Sequence, residues 1–585
     1  MGLPAALEAH RKGDIKEAAR HYKRALDQKD YQAVLFQNYG AILRELGSSA
    51  EAEKIYNLGL LKFPKHRGIS QNLANLLRSR STFKAFHIYL DLIHDRLKNS
   101  PSKLLISEVI PIIEILEELH FLHWAYEICY WLLSEIGSHP ALLLQIFKII
   151  SRDDFELIDG AQQRALIAEL ENHVLSFSNI EKAEYYFAKL ALQLSRSQIE
   201  DSLQTLSQAR SSINSVNPQN EDERLKITKL TNQNSWNMGC ILLSHQFFSD
   251  GWKLFEYGLR TKAAGAQKWQ RAMPKPFTSL ECKLWRGESL QGKSLLLLEE
   301  QAIGDVMQFL TLVPSLLDEV GKLGILINNR LFGLYKRSLK HWIQQGRISL
   351  YSFDDVVNGT LCSSNYNFQI PMGSVCQFRF TDISKFGNSF PLLKPDNSLR
   401  DRLAINYRHN SSTDTFRKVV GISWRGGGRA DRIKQKSIDI DLFGDFLLSI
   451  PGVKFVCLQY GDVVSDVENF ISKGINIVHD TSINPLKDMD AWTAQVAACD
   501  AVVSVANTTI HGSGGLNIPT HCLLSIDSDW RWLKSPSVTR SYWYPSVAIS
   551  RQSPDRSWSQ ALSFTRNWLN AGASYPNGPQ WTSHV

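Results

Sequence analysis

The sequence predicts two kinds of fold in one chain, an α-helical repeat array at the N-terminus and an α/β module after it. Three observations support this prediction. A self-similarity with a period of 34 residues marks the start of the chain, and short apolar runs alternate with helical patterns after Leu290. This alternation is interrupted once, from Gly387 to Thr415, which divides the module into two halves. A chain of 585 residues is also too long for a single hydrophobic core.

The 34-residue period predicts helix–turn–helix repeats in the first hundred residues. Small residues one or two helical turns apart allow a neighbouring helix to approach closely, and tyrosines fill the space between helices. The matched pairs are Gly13 and Gly47, Ala18 and Ala52, Tyr22 and Tyr56, Ala25 and Gly59, and Leu26 and Leu60. These features resemble a tetratricopeptide repeat, an architecture that exposes a concave surface and usually binds proteins or peptides.

Four segments are expected along the chain. Residues 1–100 are predicted to be the tetratricopeptide-like repeats, and residues 101–275 an irregular helical region that ends in a similar hairpin. Residues 285–410 and 416–585 are predicted to be two α/β halves, which place a ligand crevice near the carboxyl ends of their strands. The expected strands are Ser294–Leu298, Leu323–Ile327, Ile348–Phe353, Val419–Trp424, Phe455–Gln459, Ile475–Val478, Ala501–Val505 and Cys522–Ile526.

Composition excludes several classes of function. The net charge of +7 fits anionic ligands such as nucleotides, but no long Lys/Arg run favours nucleic acid. The eight cysteines include no C-x-x-C pair, which argues against a zinc or redox motif and for buried, reduced thiols. The charged N-terminus and the lack of a long apolar stretch predict no signal peptide, no transmembrane segment and a cytoplasmic protein.

Asp305 is the first candidate for chemistry. It follows a predicted strand and Gly304, and it lies in the first turn of a predicted helix. The ordinary interpretation is a capping carboxylate, which the helix dipole favours at that position. The functional interpretation is a general base that faces the crevice and deprotonates an acceptor hydroxyl. Spacing alone favours the cap.

A glycine-rich loop is the second candidate. Arg425 and Gly426 begin it directly after a predicted strand, and Arg429, Arg432, Lys434 and Lys436 follow. Glycines let backbone N–H groups approach a diphosphate closely, and the cations neutralise its charge. The alternative is a surface loop with a solvated basic face, and the two interpretations are about evenly balanced.

The ends of two further strands complete the set. Gln459 and Tyr460 end one predicted strand, where ligand contacts are expected in such sheets, although an ordinary turn fits as well. A second strand leads into a helix start that combines hydroxyls, glycines and a histidine, and the free N–H groups of a helix start attract phosphate. A lone histidine in a helix is more often structural. The residues of this helix start are Asn507, Thr508, Thr509, His511 and Gly514.

Taken together, these segments resemble bacterial proteins that fuse tetratricopeptide repeats to a glycosyltransferase domain of GT-B fold. The domain is similar to the ADP-heptose:lipopolysaccharide heptosyltransferases and to glycosyltransferase family 9. The resemblance covers about residues 234–552, where the order and spacing of the motifs match. The matching segments are residues 300–309, 420–426, 436–438, 458–462, 507–511, 530–532 and 543–546.

The resemblance implies an inverting hexosyl- or heptosyl-type glycosyltransferase that consumes a nucleotide sugar and needs neither a metal nor another cofactor. Asp305 takes the position of the family's catalytic base. The helix start at 508–511, together with Arg425 and Lys436, would hold the donor diphosphate, and Gln459 and Tyr460 would lie near the nucleotide. The acceptor would be a glycan, a lipid or a protein. The repeats would bind that acceptor or a partner protein.

The sequence departs from the family at three positions. Ala302 stands where the family usually has Gly, Asn367 lies where it often has Asp, and Ala506 replaces the Asp before the Asn/Thr pair. The lost carboxylate at 506 implies a different donor sugar or a loss of catalysis. Two alternatives therefore stay open. One is a non-catalytic scaffold, and the other is protein glycosylation by analogy with O-linked N-acetylglucosamine transferases, which share the repeat-plus-GT-B architecture.

Overall fold

The computed structural model describes most of the chain. The described residues are 2–78, 81–99, 106–119, 121–151, 160–195, 198–219, 221–261, 271, 282–386, 391–408, 416–427, 433, 435–526, 528–535 and 537–574. They form two compact units. The helical unit contains Met1–Thr231, and the α/β unit contains Asn232–Ala263 and Gln267–Val585.

The helical unit is built from helices that pack against their neighbours along the chain. The positions matched by the 34-residue period form its core, since Ala18, Tyr22, Ala52 and Tyr56 are fully buried. The helices are Leu3–Arg11, Ile15–Asp27, Ala33–Glu45, Ser49–Lys62, Arg67–Leu77, Thr82–Asn99, Ile106–Glu118, Leu122–Ile136, Pro140–Ile150, Gly160–Glu171, Asn179–Ser195, Ile199–Asn214 and Glu221–Ser244, the last of which continues past Thr231 into the α/β unit.

Glycine is required at the turns of the first two hairpins. Gly13 and Gly47 follow the first and third helices with φ angles of 77° and 80°. This left-handed conformation ends a helix at little cost only when no Cβ is present. The 34-residue spacing of these glycines therefore reports the same turn in two successive units.

The α/β unit holds two sheets in which every strand pair is parallel. The first sheet has the order β1-β5-β2-β3-β4, and the second has the order β11-β10-β9-β6-β7-β8. The strands are β1 Lys283–Leu284, β2 Ser294–Leu298, β3 Lys322–Ile327, β4 Ile348–Ser352, β5 Phe368–Pro371, β6 Lys418–Ser423, β7 Val453–Cys457, β8 Ile477–Val478, β9 Ala501–Val505, β10 Thr520–Leu524 and β11 Val547–Arg551.

Helices connect these strands, as parallel sheets require. Together with the helical unit, the two sheets confirm the predicted fold class, a helical N-terminal region followed by the two Rossmann-like halves of a GT-B domain. The helices are Phe248–Phe255, Ile303–Phe309, Val313–Leu317, Asn329–Ser338, Lys340–Gln344, Phe353–Val357, Cys376–Arg379, Asn397–Arg408, Ile440–Leu448, Val464–Ser472, Met489–Ala497, Thr508–Gly515 and Ser559–Asn570.

Each sheet has one point at which the strand order reverses. In the first sheet the chain runs from β2 through β3 to β4 and then places β5 on the other side of β2. In the second sheet it runs from β6 through β7 to β8 and then places β9 on the other side of β6. Ligands bind outside the carboxyl ends of the strands at such switch points. We call the ends of β2 and β5 the first edge, and the ends of β6 and β9 the second edge.

The two halves of the α/β unit share one continuous hydrophobic core, which includes Leu334 and Tyr335 from the first half and Met489 and Trp492 from the second. An ion pair reinforces this packing, since Nη2 of Arg337 lies 2.7 Å from the carboxylate of Asp490. The core keeps helices of the two halves in contact and so fixes the surroundings of both edges.

Two further findings concern the length and polarity of the helices and the state of the cysteines. Among the helices that the structure describes, none is both long and apolar enough to cross a lipid bilayer. All eight cysteines are free thiols, and six of them are buried. Two cysteines depart from the predicted burial, since Cys240 is half-buried and Cys362 is exposed.

Candidate active site

Asp305 both caps a helix and binds a cation. Its Oδ2 accepts a hydrogen bond of 3.0 Å from the backbone N–H of Ala302, at the start of the helix Ile303–Phe309. Its Oδ1 accepts from Nε of Arg531, at 2.9 Å, and from Nη2 of the same side chain. The capping interpretation is therefore seen directly. The carboxylate also binds an arginine of the second half, across the boundary between the halves.

Arg531 is the centre of a chain of alternating charges. Its guanidinium lies 3.3 Å from the Asp529 carboxylate and 4.3 Å from the centre of the Trp530 ring. Asp529 in turn lies 3.6 Å from Nζ of Lys436. Burial alone would raise the pKa of Asp529, but Arg531 and Lys436 lower it to about 2, so this group is ionised at neutral pH. We call Lys436, Asp529, Arg531 and Asp305 the charge chain.

A glycine lets the two halves meet beside Asp305. A Cβ added to Gly304 would lie 2.8 Å from Cδ2 of His511, on the helix Thr508–Gly515. Gln301 lies just before the helix Ile303–Phe309 and has a φ of 62°, a strained value for a residue with a side chain. Its Oε1 accepts a 3.2 Å hydrogen bond from Arg531. Strain of this kind persists only where the surrounding contacts maintain it.

His511 is buried and neutral. Its Nδ1 lies 3.0 Å from the hydroxyl of Tyr544. Burial lowers the pKa of His511 to about 4, although Asp305 acts in the opposite direction. A neutral imidazole can exchange hydrogen bonds but brings no positive charge to a diphosphate. Its assignment to phosphate binding stays a prediction.

At the second edge, two amide side chains hold the strand ends together. Nδ2 of Asn507 donates to Oγ of Ser423 at 2.7 Å and to the carbonyl of Arg425 at 3.0 Å. Oδ1 of Asn507 accepts from the backbone N–H of Thr509 and so caps the helix. Oε1 of Gln459 accepts from Oγ of Ser423 and from the backbone N–H of Arg425, both at 2.8 Å. Both amides therefore position the loop after β6.

The side chain of Arg425 is turned towards the helix Val464–Ser472. It donates to the carbonyl of Asp462, and its Nη1 lies 3.7 Å from the Asp466 carboxylate. Gly426 packs against Lys436, since a Cβ at 426 would lie 2.6 Å from Cβ of that lysine. The contribution of this loop to diphosphate binding stays a prediction. Arg429, Arg432 and Lys434 lie outside the described residues.

Tyr460 and Gly514 occupy packed positions. A Cβ at Gly427 would lie 2.3 Å from the hydroxyl of Tyr460, so this tyrosine covers the glycine-rich loop. Burial raises the pKa of Tyr460. A Cβ at Gly514 would lie 2.4 Å from Cγ of Tyr544, so glycine is required there for close packing. The structure gives Gly514 a contact within the protein, and a donor contact by this residue stays a prediction.

A small cavity lies beside the second edge. Ala506 contributes to its wall, at the position where the heptosyltransferase-like family usually has Asp. The structure therefore brings Lys436 and Ala506 to one cavity, next to the charge chain. The lining residues are Lys436, Ala506, Ser525, Ser528, Asp529 and Trp532. Within the described residues, no group of three or more His, Cys, Asp or Glu is placed to hold a metal ion.

The first edge contains a buried ion cluster that the sequence did not reveal. Glu300 follows β2 with 2% of its surface exposed, and the Arg271 side chain is fully buried. Nε and Nη2 of Arg271 donate to Glu300 at 3.1 and 2.8 Å, and Nη1 donates to Glu256 at 2.7 Å. Ser374 accepts from Arg271 at 2.7 Å, and the N–H of Gly373 donates to Glu300 at 2.9 Å. The sequence around Arg271 is typical of a linker, so no local pattern pointed to it.

Glu299, beside this cluster, is a second group that the sequence did not single out. It accepts a hydrogen bond from the backbone N–H of Asn328, at the end of β3. Burial raises the pKa of Glu299 to about 7, even though that hydrogen bond acts to lower it. The first edge therefore carries a carboxyl group that titrates near neutral pH.

Comparison with known sequences gives one relative. No family model matches the chain. Protein FlbA of Caulobacter vibrioides is 26% identical over 323 residues, which are 52% of this chain and 50% of the relative. The match thus spans about half the length of that curated relative.

Comparison with solved structures gives glycosyltransferases. A family 9 glycosyltransferase from Veillonella parvula has 11% identity and a TM-score of 0.35, and the match covers 48% of this chain and 91% of that one. The ADP-heptose lipopolysaccharide heptosyltransferase II of E. coli has 12% identity and a TM-score of 0.32, with 48% and 98% covered. A mutant O-GlcNAc transferase of Thermobaculum terrenum has 11% identity and a TM-score of 0.22, with 83% and 92% covered. The fold described above rests on the chain's own strand order.

Proposed function

We propose that this protein is an inverting glycosyltransferase that transfers a sugar from a nucleotide sugar to an acceptor, without a metal or another cofactor. The observation that supports it most is the contact between Gly304 and His511. This contact brings the carboxylate of Asp305, from the first half, next to the start of the helix Thr508–Gly515 in the second half. A base and an anion-binding helix start are the two elements that an inverting transfer needs.

Asp305 keeps the capacity to act as a base. A carboxylate offers about four lone-pair positions. Arg531 uses two at Oδ1, and the N–H of Ala302 uses one at Oδ2. One position at Oδ2 therefore stays available for the proton of an acceptor hydroxyl. The Asp305 side chain is 14% exposed, and we propose that the acceptor hydroxyl approaches this exposed part.

We assign the donor diphosphate to Lys436 and the helix start at Thr508. Lys436 lines the cavity beside Ala506, and its present partner, Asp529, lies at 3.6 Å, which is long for a hydrogen-bonded ion pair. A diphosphate can therefore replace that contact with a shorter one. The helix dipole adds a partial positive charge at the same edge. Arg425 would have to turn from Asp466 to take part.

The helical unit is proposed to bind the acceptor or a partner protein. Its stacked hairpins provide the kind of extended surface that recognises peptides and proteins. The acceptor is a glycan, a lipid or a protein. If the acceptor is a protein, the reaction would resemble that of the O-linked N-acetylglucosamine transferases.

The test is a panel of nucleotide sugars titrated into the full chain by calorimetry, with nucleotide release measured in the presence of cell extract. We expect one class of nucleotide sugar to bind with a micromolar Kd and to release its nucleotide when the acceptor is present. Matched binding by the free nucleoside diphosphate would locate the diphosphate site. A panel in which no nucleotide sugar binds would contradict the proposal.

A second candidate is a non-catalytic scaffold that keeps the GT-B architecture for protein binding. Ala506, in the wall of the cavity, supports it because position 506 lacks the carboxylate that the heptosyltransferase-like family usually has there, and the cavity's carboxylate, Asp529, is paired with Lys436 and Arg531. Partner capture by the full chain, with no affinity for any nucleotide sugar, would favour this candidate over the enzyme.

A further inference from the structure

Two tryptophans of the helical unit are exposed on one helix face. Trp124 and Trp131 lie on the helix Leu122–Ile136, and their side chains are 65% and 51% exposed. No other tryptophan that the structure describes is exposed. Residues seven apart on a helix lie two turns apart on the same face, about 10 Å from each other. The opposite face of this helix is buried through Ala125 and Cys129, so the helix is packed normally and only its outer face carries the tryptophans.

Phe121 extends this exposed stripe at the start of the helix. It precedes Trp124 by three residues, so it lies on the same face, and it is 48% exposed. We call Phe121, Trp124 and Trp131 the aromatic face. If a fully exposed aromatic side chain presents about 200 Å², the aromatic face exposes about 300 Å² of apolar surface. Single exposed apolar residues are ordinary, but a contiguous patch of this size often marks an interaction site.

The helix that carries the aromatic face has acidic residues but no lysine or arginine. Between Lys103 and Lys148 the sequence contains neither of these cations, although the whole chain has a net charge of +7. The charge of this stretch is therefore opposite to that of the whole chain. Its carboxylates are Glu108, Glu114, Glu117, Glu118, Glu127 and Glu135.

Two of these carboxylates lie beside the tryptophans without a cation. The glutamates of the preceding helix, Ile106–Glu118, are paired with cations from other helices; the Glu114 carboxylate, for example, lies 2.7 Å from the Arg78 guanidinium. Glu127 and Glu135 are exposed, and neither forms an ion pair with the residues that the structure describes. Each is three or four residues from a tryptophan and so lies next to it on the helix surface. The aromatic face is therefore flanked by uncompensated negative charge.

Charge and area together select one kind of partner for this surface. A helix face that binds anionic lipid carries Lys and Arg, whereas this face is flanked by Glu. A second copy of the chain would need about 800 Å² on each side for a stable interface, which is more than twice the area of the aromatic face. A short basic segment fits both properties, because its cations can pair with the glutamates and lie over the indole rings.

We propose that the aromatic face docks a short basic segment of a protein, in which apolar residues are interspersed with Lys or Arg. This inference rests on the proposed role of the helical unit in protein binding, and it is independent of the transfer reaction. Tryptophans often carry much of the binding energy of an interface, and charges at its rim set partner preference and salt dependence. Trp124 and Trp131 therefore provide the affinity, and Glu127 and Glu135 provide the preference for a basic partner.

The test measures the fluorescence anisotropy of a labelled peptide titrated with the full chain. The probe is an amphipathic helical peptide of leucine and lysine, and a matched peptide has glutamate in place of each lysine. We expect the lysine peptide to bind with a micromolar Kd that weakens at least about threefold between about 0.05 and 0.5 M salt, because exposed charge pairs are screened. The glutamate peptide should show no measurable binding.

Two double variants separate the contributions of the rings and the charges. Trp124→Gln/Trp131→Gln should bind the lysine peptide about tenfold or more weakly, because both apolar anchors are lost. Glu127→Gln/Glu135→Gln should bind it about threefold more weakly at low salt and should lose most of the salt dependence. Both variants should keep the affinity for any nucleotide sugar that the wild type binds.

Phe564→Gln/Glu468→Gln is the matched control. Phe564 is 54% exposed and Glu468 is exposed, and both lie on helices of the α/β unit. This variant removes the same kinds of side chain elsewhere and should bind the lysine peptide as the wild type does. All three double variants should melt within about 2 °C of the wild type, since each replaces exposed side chains.

Three outcomes would overturn the inference. The first is a lysine peptide that does not bind, or that binds Trp124→Gln/Trp131→Gln as tightly as the wild type. The second is equal binding of the two peptides. The third is pelleting with phosphatidylserine vesicles, or dimer formation in sedimentation, that the tryptophan variant loses, which would assign the aromatic face to a membrane or to a second copy. A wild type that binds the lysine peptide through this face but binds no nucleotide sugar would support the inference and mark the failure of the proposed transfer.

Discussion

The two edges of the α/β unit have the same topology but are held together in different ways. At the first edge, a buried carboxylate, Glu300, is neutralised by a buried cation, Arg271. At the second edge, the neutral amides of Asn507 and Gln459 join the strand ends. The difference teaches that a strand-end crevice can be closed by charge or by amides. Lys436 takes no part in joining the strand ends and lies in the cavity wall, 3.6 Å from the Asp529 carboxylate.

The largest effect is expected from breaking the buried charge. Arg271→Met leaves the Glu300 carboxyl buried without its guanidinium partner, so it must either take up a proton or stay as an uncompensated charge, and both cost stability. We expect the free energy of unfolding to fall by about 3–5 kcal/mol, measured by chemical denaturation. The double variant Arg271→Met/Glu300→Leu is the control and should recover much of that loss, since neither charge remains. A loss below about 1 kcal/mol in the single variant would show that the cluster is solvated.

Breaking the amide hydrogen bonds at the second edge should lower the free energy of unfolding by less than Arg271→Met does. Gln459→Leu removes the acceptor of the Ser423 hydroxyl and of the backbone N–H of Arg425. We expect a loss of about 2 kcal/mol in the free energy of unfolding, because neutral groups are left unpaired rather than a charge. Ser423→Ala, which removes fewer of these bonds, should cost about 1 kcal/mol. If Arg271→Met and Gln459→Leu lowered the free energy of unfolding equally, the buried charge at the first edge would be no more important for stability than the amides at the second.

The smallest effect concerns the pH dependence of the first edge. Burial raises the pKa of Glu299 to about 7, above its value of about 4.3 in an unfolded chain. The folded state therefore holds the proton more tightly, and this group destabilises the protein as pH rises from about 4.5 to about 7. Glu299→Gln should remove that slope and be more stable than the wild type by about 1 kcal/mol above pH 7, after allowance for partial solvent exposure.

Thermal denaturation of the wild type and Glu299→Gln across pH 4 to 8 checks this prediction. The stability difference between the two proteins should be small below about pH 4.5 and should reach a plateau above about pH 7. A difference that does not change with pH would mean that Glu299 is ionised throughout and that burial has little effect on it.

Much of the fold could be predicted because apolar runs and helical periods are local. The sequence predicts Ser294–Leu298 and Ala501–Val505 with the bounds that the structure has, and the other expected strands differ from the observed ones by one or two residues at an end. The strands that the sequence analysis missed lack a clear local pattern. β1 has two residues, and β5 has four and ends at Pro371. Val547–Arg551, at the sheet margin, was missed as well.

The candidate site could be predicted only in part. Asn507 and Gln459 directly follow strands, and Asp305 lies in the first turn of the helix after β2, so their positions in the sequence indicate their positions in the crevice. Their partners could not be predicted in this way. Arg531 binds Asp305 across 226 residues and Arg271 binds Glu300 across 29, and tertiary packing rather than a local pattern fixes both pairs.

The most direct measurement is a comparison of Asp305→Asn with the wild type, both for nucleotide-sugar affinity by calorimetry and for the rate of nucleotide release with acceptor. If Asp305 is the base that faces the donor site, the variant should keep the affinity within about threefold and lose at least about a hundredfold in rate. An Asp305→Asn variant that releases nucleotide at the wild-type rate would contradict the account.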